Sequence, residues 1–173
     1  MKTIIINLNI RPAQLEDADQ LCEIYNHYVT DSVVTFDTEL KKTEAFREEM
    51  IETMSTLPYY VAEKDGKILG YAFASSWKSR CAYTYSVETS IYVHPDHKER
   101  RVGYNLYFKL LKELKKSKIH AVIAGISLPN VISVGLHEKM GFEKTAHFKE
   151  VGYKFNRWID VGYWELIFPF KPE

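Results

Sequence analysis

The segment 83–111 contains residue types whose order and spacing suit group-transfer chemistry. Glu88 lies within a run of β-type residues that ends at Pro95, and a short charged turn follows it. An amphipathic helix is predicted to begin near Val102. The first N–H groups of a helix lack internal partners, and the dipole favours negative charge there, so this point is a generic anion site. A phosphate-bearing cofactor beside one strand carboxylate is therefore the first functional hypothesis.

Both features also have structural interpretations. Alternation along the predicted strand puts Glu88 on its less apolar face, and periodicity alone favours a carboxylate that faces solvent. Lys98, Arg100 and Arg101 would equally suit a solvated loop. Their place just before a helix N-terminus is what supports a phosphate site.

A further candidate lies in the segment 128–142. Asn130 is placed to cap a helix, and that role would explain it fully. His137 follows two turns later on the same face. Histidine can move a proton near neutral pH, although a lone helical histidine is more often structural.

Composition limits the class of protein. The 173 residues suit one domain, 1–173, and equal numbers of acidic and basic residues give a formal net charge of zero, which disfavours bulk nucleic-acid binding. Cys22 and Cys81 fit neither a disulfide framework nor a zinc pattern, so we expect no metal, and Cys22 suits a helical core. The N-terminal apolar run is too short for a signal peptide, and no run reaches transmembrane length. We expect a cytoplasmic protein that binds no membrane.

The periodicities predict a mixed α/β sheet flanked by helices, in the order β-α-α-β-β-β-α-β-α-β-β. Asp65-Gly66 is a hairpin signal, Gly141 suits a left-handed helix cap, and Thr43 suits an N-cap. The predicted strands are 4–10, 59–63, 68–74, 83–93, 121–126, 142–150 and 161–168, and the predicted helices are 17–29, 43–54, 102–116 and 130–140.

Several short motifs occur together in one order. They include I-Y-N-H-Y-V at 24–29, S-V-E-T-S-I-Y-V-H-P-D-H at 86–97, S-V-x-L-H-E-K-M-G-F at 133–142 and G-Y-K at 152–154. With them, the chain resembles the GCN5-related N-acetyltransferase (GNAT) superfamily, specifically its phosphinothricin acetyltransferase-like branch. The resemblance runs from Ile10 to Trp164. It implies a GNAT fold, with a mostly antiparallel sheet, a splayed parallel pair in the middle and about four flanking helices.

The resemblance also implies acetyl-CoA as cosubstrate, held between the splayed strands. The family's pyrophosphate turn reads Gln/Arg-Gly-x-Gly-x-Gly/Ala, but here it is K-E-R-R-V-G at 98–103, so only the last glycine remains. The loss puts acetyl-CoA affinity in question, although backbone N–H groups do most of the cradling. The implied cofactor-binding residues are Ile91, Tyr92, Val93, Glu99, Arg100, Arg101, Val102, Gly103, Tyr104, Asn130 and Lys139.

For the chemistry, the resemblance implies direct acetyl transfer to the α-amino group of phosphinothricin, methionine sulfone or methionine sulfoximine. Glu88 would be the general base, through a water. His137 would be an acid for the thiolate, part of the base relay, or a packing residue. Arg80 would bind the acceptor carboxylate, and the implied acceptor pocket is completed by Phe36, Cys81, Ala82, Tyr83 and Tyr85. The loop 152–158 would cross a homodimer interface.

Other functions stay open at this level. The acceptor could be a peptide N-terminus or a polyamine, although a polyamine site would want clustered carboxylates. The altered turn leaves room for a non-catalytic CoA-binding sensor. A nucleic-acid module rests only on the Lys and Arg excess between 98 and 118, which a solvated helix face explains.

Overall fold

The computed structural model describes residues 8–96 and 101–169 and contains a seven-stranded sheet in the order β1-β2-β3-β4-β5-β7-β6. The strands are β1 Asn9–Pro12, β2 Tyr59–Lys64, β3 Lys67–Ser76, β4 Ser86–Val93, β5 Ala121–Leu128, β6 Glu143–Lys154 and β7 Arg157–Ile167. The helices are α1 Ala18–Asp31, α2 Thr43–Met54, α3 Val102–Leu114 and α4 Val131–Lys139. This is the predicted order of elements.

The sheet is antiparallel except at its centre, where β4 and β5 run parallel. Their pairing covers only Ser86–Glu88 against 121–123, and no register continues beyond Glu88. The two strands therefore separate along the second half of β4, which confirms the predicted splayed pair and the GNAT-type fold class.

Each face of the sheet buries its own core. On one face, α3 packs Leu106, Leu110 and Leu114 against Val87 of β4. On the other, α1 and α2 cover a largely aromatic cluster that includes Tyr71 of β3 and packs against Tyr92. Because side chains alternate along a strand, Glu88 shares the α1/α2 face with Tyr92.

Most of the predicted boundaries agree with the structure to within a few residues. Asp65 and Gly66 form the β2–β3 turn with φ values of 51° and 78°, and Gly141 has φ 92°, so both turn predictions are confirmed. Cys22 is buried in α1, as expected. Thr43, however, is the first residue of α2 and not its cap, which is Lys42. Residues 4–7 of the first predicted strand lie outside the described residues.

The predicted start of β4 at Tyr83 is wrong. Cys81–Tyr83 form a 3-10 turn, in which the N–H of Tyr83 donates to the carbonyl of Arg80 over 3.0 Å. The strand begins only at Ser86. The β-favouring Tyr-Thr-Tyr sequence is overridden by this local hydrogen bonding. No helix in the described ranges is long and apolar enough to cross a membrane.

Candidate active site

Glu88 lies at the point where β4 and β5 separate. It faces Ser75 of β3 and Ile123 of β5 in the sheet register. A Cβ added to Gly125 would stand 3.3 Å from Glu88 Oε1, so the absence of a side chain there gives the carboxylate its space. Glu88 is partly buried, contrary to what periodicity alone favours.

Burial raises the pKa of Glu88, because removal from water penalises the charged carboxylate, while the positive charge of Lys78 lowers the pKa by a smaller amount. On β7, the strand beyond β5, burial raises the pKa of Tyr163, and the charge of Glu88 raises it further. A carboxylate in this setting binds a proton more readily than one in water. That property suits a general base near neutral pH.

A small gap of about 60 Å³ lies between the separated strands. Ser90 and Ile91 line it from β4, Gly125 and Ser127 from β5, and His137 closes it from α4. The gap thus connects the Glu88 strand with the histidine that the sequence singled out.

His137 is only 3% exposed, and its ring packs edge-on against Tyr107 and Phe142 at centroid distances of 4.8 and 5.2 Å. Its Nδ1 lies 2.7 Å from the carbonyl oxygen of Ser133, which can only accept, so Nδ1 carries the proton. Burial lowers the pKa of His137, although the Ser133 hydrogen bond opposes this. The ring is therefore neutral near pH 7, with the lone pair on Nε2.

A larger cleft of about 870 Å³ continues from the gap. Ile91 and Val93 form one wall, and the N-terminus of α3 forms its end. Of the residues predicted to hold the cofactor, this cleft brings together Ile91, Val93, Arg101, Val102, Gly103, Tyr104, Asn130 and Lys139. Tyr92 points its side chain to the opposite face, and Glu99 and Arg100 lie outside the described residues.

Arg101 replaces a family glycine while keeping a glycine-like backbone. It precedes α3 with φ 84° and ψ 6°, in the left-handed region, and no side chain caps the helix. Its carbonyl accepts the N–H of Asn105 over 2.9 Å. The N–H groups at the start of α3 thus lack a side-chain cap at the end of the cleft, as an anion site requires.

At the start of α4, the Asn130 side chain accepts the N–H of Ser133 over 3.1 Å, so the predicted capping role is confirmed. The Lys139 ammonium lies 5.1 Å from the centre of the Tyr104 ring across the cleft. The two helices are thereby linked on either side of the predicted phosphate position.

The residues predicted for the acceptor pocket fall in two places. Phe36 is 39% exposed and contacts Gly152 of β6. Arg80, Cys81 and Tyr83 instead line a separate, third cavity of about 600 Å³, next to Val87 and the end of α3. Ala82 lies in the same 3-10 turn, and Tyr85 accepts backbone N–H groups from His120 and Ala121.

Sequence reasoning missed several residues around Glu88. Lys78, Tyr163 and Gly125 all influence the carboxylate, yet none stands out by periodicity. Gly125 gave one usable signal, because an isolated glycine within a β-branched strand indicates a close approach by another group.

The acetyltransferase (GNAT) domain family matches residues 10–162. A phosphinothricin N-acetyltransferase of Streptomyces viridochromogenes is 37% identical over 161 residues, covering 93% of this chain and 88% of that protein. An L-amino acid N-acyltransferase of Escherichia coli is 35% identical over 166 residues, covering 92% and 93%. An L-methionine sulfoximine/L-methionine sulfone acetyltransferase of Salmonella typhimurium is 35% identical over 166 residues, covering 92% and 94%.

Solved structures agree with this relationship. An acetyltransferase of Salmonella typhimurium with its cofactor acetyl-CoA has a TM-score of 0.88 and 33% identity, covering 92% of this chain and 93% of that one. A GNAT superfamily phosphinothricin acetyltransferase from Sinorhizobium meliloti in complex with AcCoA has a TM-score of 0.90 and 28% identity, covering 93% and 88%. The chain belongs to the GNAT family of acetyltransferases.

Proposed function

We propose that this protein transfers the acetyl group of acetyl-CoA to the α-amino group of a small amino-acid-like acceptor. The acceptor class is that of phosphinothricin, methionine sulfone and methionine sulfoximine, which the names of two relatives give, and a third relative is named for L-amino acids in general. The observation that carries the proposal is the position of Glu88, whose carboxylate stands beside Gly125 where β4 and β5 diverge.

The cleft fits acetyl-CoA in its chemistry. The uncapped start of α3 and the cation of Lys139 suit a pyrophosphate, and the free edge of β4 beyond Glu88 suits a pantetheine amide chain. When bound, acetyl-CoA supplies an activated acyl group on a thiol that leaves readily. Backbone N–H groups of Ile91–Val93 are our candidates for holding the thioester oxygen.

Glu88 prepares the acceptor. An α-amino group has a pKa of about 8 or higher and is mostly protonated at neutral pH, so a proton must be removed before attack. The raised pKa of Glu88 brings its basicity closer to that of the amine, and we propose that it takes this proton through a water. Lys78 offsets part of the burial effect and favours the ionised, proton-accepting form.

His137 is better suited to accepting a proton than to donating one. Its Nδ1 proton is committed to the Ser133 carbonyl, and burial disfavours the imidazolium form that a general acid would need. We therefore propose that His137, when it takes part, acts through the lone pair of Nε2 as part of the base relay. A His137→Phe variant with unchanged turnover at every pH would assign the ring to packing.

The decisive test compares Glu88→Gln with Glu143→Gln, an exposed carboxylate on β6. Loss of a general base typically costs about 10²–10⁴-fold in rate, so Glu88→Gln is expected to lose that much kcat/KM together with the acidic limb of the pH profile. Glu143→Gln is expected to match the wild type. Near-native turnover of Glu88→Gln across pH 6–9 would refute the assignment.

The acceptor is identified by following CoA release with phosphinothricin, methionine sulfone, methionine sulfoximine, common amino acids and polyamines. Arg80 is our proposed partner for the acceptor carboxylate, since its planar fork binds carboxylates bidentately. Because Arg80 lines the cavity beside Ser86 and Val87, this role requires the acceptor to extend from Glu88 into that cavity. Arg80→Lys is then expected to raise the acceptor KM and leave that of acetyl-CoA unchanged. Tight acetyl-CoA binding without turnover on any amine would instead support a CoA-binding sensor.

We also propose a homodimer formed through the β6–β7 hairpin. Five large apolar side chains there are each more than half exposed, which is unusual for a surface that stays in water. They are Phe148, Val151, Tyr153, Phe155 and Trp158. Light scattering should give twice the chain mass, and Trp158→Glu should shift it towards a monomer.

A further inference from the structure

The segment 32–37, which follows α1, carries Phe36 and lies along the α1/α2 face of the sheet. The Tyr25 and Thr35 hydroxyl oxygens are 2.8 Å apart, and the Tyr25 hydroxyl donates to Asp37 over 2.6 Å. Val34 lines both the cleft and the small gap. The position of this short irregular segment therefore shapes both the cleft and the small gap.

Lys154, at the end of β6, reaches into this segment from a distant part of the chain. Its ammonium donates to the carbonyl of Thr35 over 2.9 Å and to that of Tyr28 over 3.4 Å, across 119 residues of sequence in the first case. The residue is only 5% exposed. Burying an ammonium is costly unless it is paired or hydrogen-bonded, so these two carbonyls and the nearby negative charge of Asp37 stabilise it there.

The hairpin turn delivers Lys154 to this place. Phe155 and Asn156 form the two-residue connection from β6 to β7, with φ values of 53° and 56°. Two consecutive positive φ values are the signature of a tight type I′ turn, whose geometry is strongly constrained. The β6–β7 hairpin is thus a well-defined element, and from it Lys154 contacts the irregular segment 32–37.

Gly152, two residues earlier, makes the second contact between the same two segments. A Cβ at this position would lie 2.2 Å from Cε1 and 2.5 Å from Cζ of Phe36. The Phe36 ring therefore rests directly on the hairpin backbone. No larger residue fits at position 152 unless that ring moves.

Tyr28 extends the linkage to the cofactor cleft. Its carbonyl accepts from Lys154, while its hydroxyl donates to the carbonyl of Val93 on β4. Tyr28 and Val93 both line the cleft. One tyrosine thus joins the hairpin, the end of α1 and the separated strand.

We propose that Lys154 is a positioning residue that, with Gly152, fixes segment 32–37 and the Phe36 ring in place for the acceptor. The effect of Lys154 on acceptor binding rests on the proposed function. The hairpin contacts the acceptor side through Phe36 directly, whereas it reaches the cleft only indirectly, through Tyr28 and through Val34, the neighbour of Thr35. Loss of Lys154 is therefore expected to weaken acceptor binding more than acetyl-CoA binding.

The test uses Lys154→Met, which keeps the length of the side chain and removes its donors, beside Lys149→Met, an exposed lysine of the same strand. Lys154→Met is expected to raise the acceptor KM at least about 10-fold, the lower end of the effect of losing one charge-assisted hydrogen bond. Its kcat and its dissociation constant for acetyl-CoA should stay within about twofold. Lys149→Met should match the wild type in all three.

Gly152→Ala gives an independent route to the same displacement, because its methyl group must push Phe36 aside. Gly152→Ala should likewise raise the acceptor KM and leave the dissociation constant for acetyl-CoA unchanged. In a Phe36→Ala background, it should raise the acceptor KM little further. An unchanged acceptor KM in both variants would overturn the proposal. An equal loss of affinity for the acceptor and for acetyl-CoA, accompanied by a lower Tm, would overturn the proposal too, because it indicates a purely structural role.

Hydrogen–deuterium exchange separates this inference from the proposed function. In Lys154→Met, amides of 28–37 should exchange faster, while those of α3 stay as in the wild type. Faster exchange in a protein that acetylates no amino acid would uphold the positioning and refute the acceptor class. Unchanged exchange in an active enzyme would refute the positioning alone.

Discussion

Arg101 holds a backbone conformation that its side chain disfavours, and replacing it should separate the effect of shape from that of charge. A residue with a Cβ costs roughly 1–2 kcal/mol in the left-handed region, where Arg101 has φ 84°. Glycine would remove that strain but would lose about 0.5–1 kcal/mol more chain entropy on folding. The expected net gain for Arg101→Gly is thus on the order of 0.5–1 kcal/mol.

Arg101→Ala is the matched control, because alanine keeps the strain and removes the same charge. For a chain of this size, about 1 kcal/mol corresponds to a Tm change of roughly 2–4 °C. Arg101→Gly should therefore melt about 1–4 °C above Arg101→Ala in thermal unfolding. Both variants lose the same exposed cation at the proposed pyrophosphate site, so each should bind CoA up to about fivefold more weakly by calorimetry.

Two results would refute this reasoning. Equal melting temperatures for the two variants would mean that position 101 carries no left-handed strain. Unchanged CoA affinity in both would mean that the Arg101 charge makes no contribution to phosphate binding.

Gly125→Ala would place a methyl group 3.3 Å from Glu88 Oε1, so the carboxylate must move by a few tenths of an ångström. This displacement should lower kcat about 3- to 10-fold, and the same substitution should cause no further loss of kcat in a Glu88→Ala background. Because burial raises the pKa of Glu88, its ionised form lowers the free energy of unfolding at neutral pH. Glu88→Gln should therefore raise the Tm at pH 7. This gain in Tm should vanish as the pH falls below the ordinary pKa of a glutamate. Asn130→Ala should lose about 0.5–2 kcal/mol of stability in denaturant unfolding, since it removes the α4 cap. The narrow gap between the separated strands should make propionyl-CoA at least about tenfold poorer than acetyl-CoA in kcat/KM, and equal rates would show that the acyl group lies elsewhere.

Local patterns in the sequence predict the elements well but not the environment of the base. Alternation correctly puts Glu88 on the face opposite Val87, yet it favours an exposed carboxylate. The carboxylate is partly buried because β5 brings Gly125 beside it and β7 brings Tyr163, from 37 and 75 positions further along the chain. Contacts of such separation depend on the assembled sheet, so no window of local sequence contains them.

The backbone conformation of one other residue and the burial of another also could not be predicted from the local sequence. Arg101 adopts the left-handed conformation at the N-cap of α3 although it is not a glycine. The sequence around Lys154 gives no sign that this lysine is buried. It is buried because its hairpin packs on segment 32–37. In both cases tertiary structure overrides the preference of the residue.

The register of β4 explains how two substrates can meet without sharing one pocket. Glu88 is the last residue of β4 that pairs with β5, so its carboxylate stands at the apex of the divergence and on the α1/α2 face. Ile91 and Val93, three and five residues on, have the opposite parity and line the cleft from the other face. An acceptor above Glu88 and a thioester along 91–93 would therefore approach each other through the opening between the strands. That geometry favours direct transfer between two bound substrates, since it needs no side-chain nucleophile to carry the acetyl group from one face of the sheet to the other.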